Sequence, residues 1–119
     1  MKSLNLLIIF LLISTFVSAK EYHVSVTGND TNIGSAEKPF RTINRAVEFA
    51  FAGDTITVHA GVYRELVNPV RGGESNSKRI VYRAAPNEMV EIKGSEIITG
   101  WEKVKNGVWK VTIPDSLSF

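Results

Sequence analysis

One helix-forming segment stands near the front of this chain, and every regular segment after it reads as a short strand. Thr42 offers a capping side chain. Ile43, Ala46, Val47, Ala50 and Phe51 then recur at helical spacing and form one apolar stripe. Gly53 is expected to end the helix in the left-handed position. Before this segment, Tyr22–Thr27 alternates with period two, and Gly28–Gly34 (GNDTNIG) is rich in turn formers. After it, Thr55–Ala60 alternates and is stopped by Gly61. Arg79–Ala84, Val90–Lys93 and Val108–Ile113 supply further strands, with a polar, Gly-containing loop over Asn68–Lys78. Asn106-Gly107 sits between Val104-Lys105 and Val108-Trp109 and predicts a hairpin.

A doubly wound α/β fold needs helices between its strands, so this order excludes it. A β-sandwich and a β-helix remain. Each middle strand carries one inward apolar set: Ile56 with Val58, Ile80 with Tyr82, Val90 with Ile92. The strand centres near Val58 and Val81 are 23 residues apart, which suits one turn of a solenoid. Periodicity alone leaves both architectures open. A lone helix that can cover an apolar end favours the solenoid, because open solenoid ends need caps.

The first 19 residues have their own logic. Lys2 provides a positive start, Leu4–Ile13 is apolar apart from Asn5, and Val17-Ser18-Ala19 fits the small-residue rule for signal-peptidase cleavage. The apolar core falls short of the roughly 20 residues that span a bilayer. Residues 1–19 are therefore expected to be a cleaved signal peptide and 20–119 the mature domain, exported to the periplasm or the exterior without an integral membrane segment. The chain has no cysteine, which excludes a lipid-modified Cys anchor and any disulfide. Loss of Lys2 reduces 14 Lys and Arg to 13, against 12 Asp and Glu. That balance gives no basic patch for nucleic acid and suits a weakly charged ligand.

Particular runs carry a family resemblance. Tyr22-His23-Val24, Gly28-Asn29-Asp30, Gly34-Ser35, Lys38-Pro39-Phe40 and Thr42-Ile43 resemble the N-terminal signature of many secreted β-helix proteins. Ala52-Gly53-Asp54-Thr55-Ile56 and His59-Ala60-Gly61-Val62-Tyr63-Arg64-Glu65 narrow the match, with Lys78-Arg79-Ile80, Tyr82, Ala84-Ala85 and Ile92-Lys93-Gly94-Ser95-Glu96. Together with Val108-Trp109 and Ile113-Pro114, the set resembles the β-xylosidases of glycoside hydrolase family 120. The resemblance implies an all-β fold, a right-handed parallel β-helix of the pectin-lyase-like kind with an N-terminal capping α-helix. It further implies that this chain covers only the first coils of a longer enzyme, with the catalytic carboxylates beyond Phe119. A polysaccharide or oligosaccharide is then the expected partner, and no cofactor is expected. A stack this short, closing on Leu117-Ser118-Phe119, would leave strand edges open, which agrees with an incomplete domain. A polysaccharide lyase on the same fold and a non-catalytic β-helix adhesin or stalk are the rival readings, since fold does not fix function.

Three residues are the candidates for substrate contact: His59, Glu65 and Trp101. Alternation turns His59 outward, opposite Ile56, Val58 and Ala60, onto the kind of face that lines a β-helix groove; a plain surface histidine is the alternative. Glu65 follows Tyr63-Arg64 and faces either a sugar or Arg64. Trp101, outside a clean strand, offers a ring for stacking, as does Tyr63, whereas Trp109 alternates with Val111 and Ile113 and reads as core. Hydrolysis of a glycoside needs two carboxylates across one bond. Asp54, beside Gly53, reads as a turn residue instead, and no pair within this chain makes a catalytic dyad. His23 and His59, on separate strands without cysteine, lack metal-ligand spacing. Asp30-Thr31-Asn32-Ile33-Gly34 starts like a calcium loop but lacks the distant glutamate, so an Asx-type turn is expected there. Asn29-Asp30-Thr31 is formally a glycosylation sequon, and Arg71-Gly72-Gly73 lies in a loop without an assigned role.

Overall fold

The computed structural model describes residues 18–113. Most of the expected leader and the closing Leu117-Ser118-Phe119 lie outside these residues. Strands β1 (Glu21–Val24), β2 (Thr55–Val58) and β4 (Val81–Ala84) form one parallel sheet in the order β1-β2-β4. Strands β3 (Gly61–Tyr63) and β5 (Val90–Ile92) form a second parallel sheet. Each strand thus pairs with its counterpart one coil later, and the chain visits the two sheets in turn. With the right-handed crossover that parallel strands require, this is a right-handed parallel β-helix. Gly61 does not simply stop β2; it is the corner at which β3 begins.

Val24 pairs with Val58 and Val58 with Ala84, so successive coils take 34 and 26 residues. The expected match of Val58 with Val81 is therefore corrected. Val81 lies opposite Thr55 and faces outward, whereas Ala84 continues the inward row. Matching strands by apolar centre ignored side-chain parity, which a parallel ladder preserves.

The inward row and one helix make the core. Val24, Phe40, Ile43, Ala46, Val47, Ala50, Ile56, Val58 and Tyr63 are buried together. Phe40 lies beside β1, its N–H donating to the His23 carbonyl and its own carbonyl accepting from Ser25 N–H, both at 2.9 Å. The GNDTNIG loop closes over its ring. Gly34 has φ 79°, and a Cβ there would meet the Phe40 ring at 2.3 Å, so only glycine fits.

Helix α1 (Ile43–Phe49) has about two turns, too few to persist without tertiary support. Thr42 caps it as expected, accepting the Arg45 N–H at 3.2 Å. Asp30 fixes the entry by accepting from Arg41 N–H, Thr42 N–H and the Thr42 hydroxyl. The Asx turn itself is formed by Asn29, whose side-chain oxygen accepts from Thr31. At the other end Arg71 donates to the carbonyls of Glu48 and Ala50, which gives the unassigned loop a structural role.

Four local expectations are corrected. The helix stops at Phe49 because Ala50 is extended and the Asp54 carboxylate captures the Phe51 N–H at 2.9 Å. Phe51 therefore leaves the apolar stripe and lies exposed, with the Arg71 guanidinium 4.2 Å from its ring centre. Gly53 has the expected positive φ (96°) but sits in the turn into β2, beyond the helix end. Trp109, expected in the core, is 57% exposed, because among the described residues its strand β7 (Trp109–Lys110) pairs only with β6 (Glu102–Lys103). The hairpin between them is the expected one, with Asn106 and Gly107 both at positive φ.

The inward residues of the second coil, Tyr82 and Ile92, remain partly exposed beside an apolar hollow of about 450 Å³ that also touches Ile43, Val58, Val67 and Val90. β4 and β5 are the last strands of their sheets among the described residues.

Candidate functional site on the outer sheet face

Alternation along β1, β2 and β4 turns Ile56 and Val58 into the core and sends the intervening residues to the outer face. Parallel pairing sets Thr57 between His23 and Arg83, and long outer side chains reach diagonally across the ladder to form polar rows. One row joins Glu21, Thr57 and Arg83. The Glu21 carboxylate accepts from the Thr57 hydroxyl at 2.5 Å and from the Arg83 guanidinium at 2.8 Å, while Arg83 Nε also reaches Thr57 Oγ1 at 3.1 Å. Thr57 is nearly inaccessible although it faces outward, because these two long side chains close over it. The Thr57 and Arg83 hydrogen bonds hold Glu21 below the usual carboxylate range.

A second row joins His23, His59 and Glu88. His23 Nδ1 lies 3.0 Å from His59 Nε2, with the two rings near-parallel at 20°. His59 Nδ1 is 3.1 Å from Glu88 Oε2, which also accepts the Ala60 N–H at 2.7 Å. The Ala60 N–H and then His59 keep Glu88 in its charged form below the usual range. A carboxylate can only accept, so His59 Nδ1 carries a hydrogen. Neutral His59 then accepts at Nε2, and His23 donates from Nδ1. His23 Nε2 is left facing Glu21 at 3.9 Å. The result is a run of carboxylate, imidazole, imidazole and carboxylate side by side on the outer sheet face.

Beside this row opens a cleft of about 640 Å³, lined in part by Ser25, Thr27, Asn32, Glu37, His59 and Glu88. Hydroxyls, an amide, an imidazole and carboxylates offer both donors and acceptors, the complement that a polyhydroxylated ligand requires.

The structure distributes the three expected contact residues differently. His59 lies at the edge of this cleft, outward as alternation requires. Glu65 is elsewhere: its two oxygens accept the Ile43 and Asn44 N–H groups at 3.1 and 2.8 Å, so its carboxylate closes the helix N-terminus. The alternative pairing with Arg64 does not form, since Arg64 donates to Ser95. Trp101 is exposed, donates its indole N–H to the Ile98 carbonyl, and lines neither the His59 cleft nor the pocket beside Glu65. Tyr63 is no stacking platform; it is buried and its hydroxyl donates to the His59 carbonyl at 2.8 Å. Asp54 is the turn residue expected. Sequence reasoning missed Glu88, Glu21 and Arg83, and treated His23 apart from His59. These contacts bridge successive coils, His23 to His59 over 36 residues and His59 to Glu88 over 29, so only knowledge of the coil lengths would have joined them.

A family profile described as a protein of unknown function (DUF1565) matches residues 26–69. The solved structure described as the complex of XylC with xylose superposes with a TM-score of 0.77 at 52% identity, over 81% of this chain and 15% of that one. The fold is pectin-lyase-like. An uncharacterized protein of Bacillus subtilis strain 168, YwoF, is 40% identical over 75 residues, 63% of this chain and 16% of that protein. Pectate lyase PEL9 of Emericella nidulans is 34% identical over 82 residues, 68% of this chain and 20% of that protein. The chain thus spans a fifth or less of the length of these relatives. Among the described residues no helix is long and apolar enough to cross a membrane.

Proposed function

We propose that this chain forms the N-terminal coils of an exported carbohydrate-active enzyme of the β-xylosidase type. The observation that carries the reading is the 52% identity, over most of the chain, to a structure described with bound xylose. The polar cleft beside His59 and Glu88 supports it, because it offers donors and acceptors suited to sugar hydroxyls. On this reading the two carboxylates of glycoside hydrolysis come from coils beyond Phe119, and the described coils contribute the base of the substrate groove. Residues 1–19 serve as the leader that directs export.

Similarity to a pectate lyase favours a second reading, cleavage of an acidic polysaccharide by elimination. One experiment separates the two. The full-length gene product is incubated with aryl β-xylosides and xylo-oligosaccharides, and in parallel with polygalacturonate. Release of xylose without unsaturated uronate products is the expected result. Unsaturated products from polygalacturonate, with xylosides untouched, would replace the hydrolase reading with the lyase one.

A further inference from the structure

The backbone nitrogen of Lys20 lies 2.8 Å from Asp54 Oδ1. Asp54 is only 6% exposed, and its other oxygen accepts the Phe51 N–H at 2.9 Å. The surrounding backbone is fixed as well. The Lys20 carbonyl accepts from Thr55 N–H, and the Asp54 carbonyl accepts from Val81 N–H, both at 2.9 Å. Asp54 thus stands where the first coil, the exit from α1 and the start of β2 meet. Ser18 and Ala19, the residues just before this junction, are exposed.

Lys20 is also the residue that becomes N-terminal if the leader is removed after Ala19. Hydrolysis of that peptide bond adds one water: the carboxylate stays on Ala19, and the Lys20 nitrogen takes up a proton to become an α-ammonium. The nitrogen need not move to meet a carboxylate already within hydrogen-bond distance. We propose that Asp54 is the receiving site for the new N-terminus, so that removal of the leader converts an amide contact into an ion pair that fastens β1 to β2. The idea rests on the export reading above. A charge-assisted bond of this kind is stronger than the neutral one it replaces, and its carboxylate side is buried.

The hollow around the Lys20 nitrogen contains few other ionisable groups. Tyr22, the Lys20 side chain and Lys78 line it with Asp54, which is its one carboxylate. Burial and then the Asp54 charge keep the Tyr22 hydroxyl protonated. Lys78 is turned to Glu74 at 3.7 Å. A free α-amino group titrates near about 7.7–8.0, and an adjacent carboxylate raises that value. The folded value then exceeds the unfolded one. The added stability is full below the unfolded value and disappears as pH rises through the folded one.

The test uses the full-length protein. N-terminal mass analysis of the exported form should find Lys20 first. Competitive acylation of the α-amino group at about pH 6.5, below both pKa values, should then be about tenfold slower than in Asp54→Asn, the equivalent of one pKa unit. A protein released from a cleavable tag to begin at Ala19 keeps Asp54 but moves the ammonium by one residue. It should acylate at the ordinary rate, which covers the case in which Asp54→Asn fails to fold. A different exported N-terminus would overturn the export reading and the pair with it. Lys20 first, with equal acylation rates in the native and Ala19-start proteins, would overturn the pair alone.

Discussion

Replacing Val47 with Asp should lift helix α1 off the first coil. Val47 is 3% exposed and packs in one cluster with Val24, Ile43 and Ile56. Removing its side chain from that cluster forfeits about 1.5–3 kcal/mol of burial. The incoming carboxylate adds a penalty of several kcal/mol if it stays charged and unpaired. The nearby cations are already engaged: Arg45 holds Glu48 and the Asp30 carbonyl, and Arg71 holds the helix C-terminus. A loss on the order of 4 kcal/mol or more is a large share of the 5–15 kcal/mol that typically separates folded from unfolded chains. Lys38 supplies the control. It is exposed, and its backbone N–H bonds to Ser35 whatever its side chain, so Lys38→Asp should cost within about 0.5 kcal/mol. Urea unfolding followed by far-UV circular dichroism measures both. With slopes of about 1–3 kcal/mol per molar urea, the Val47→Asp midpoint should fall by more than about 1 M. Coincident midpoints for Val47→Asp and the native protein would mean that the helix does not seal the coil, and the capping argument would fail.

Two further expectations follow from side chains whose partners are known. Glu65→Ala should strand the Ile43 and Asn44 N–H groups and cost about 1–2 kcal/mol of stability; a higher KM for the sugar with no change in the urea midpoint would instead return Glu65 to the substrate. Hydrogen bonds from Thr57 and Arg83 depress Glu21. For Asp30, burial pushes upward but is outweighed by the Thr42 and Arg41 hydrogen bonds and by Arg45. With folded values below the unfolded ones, the stability they add is present above the ordinary carboxylate range of about 4 and is lost as pH falls through the folded values. Thermal midpoints measured from about pH 5 downward should therefore drop, and less so in Glu21→Gln; parallel curves would remove Glu21 from the account.

Alternation tells which way a strand residue points, and that much was readable. Ile56 and Val58 had to face one side and His59 the other, and the structure agrees. Alternation cannot tell which outward residues meet, because that depends on the number of residues in each coil. The segments between β1 and β2 and between β3 and β4 set those numbers, and neither the helical period of α1 in the first nor the polar loop in the second fixes a strand register. An apolar match put Val81 beside Val58. The true ladder puts Ala84 there and, one position back on the opposite, outer face, brings Arg83 against Thr57 and Glu21. The helix boundary failed for a related reason. The apolar stripe runs on through Phe51, but Asp54, read correctly as a turn residue, takes the Phe51 N–H and ends the helix before it. The same blindness gave Glu65 a sugar or Arg64 as partner, since nothing local reveals that its partners are the N–H groups of a helix some twenty residues earlier. In a solenoid, then, the faces are written strand by strand, whereas the sites are written in the lengths of the turns. His23, His59 and Glu88 become one constellation only after both turn lengths are known. An insertion or deletion of one residue between β1 and β2 should therefore separate the two imidazoles while leaving each strand's own pattern intact, unless the added residue is absorbed as a bulge in the loop.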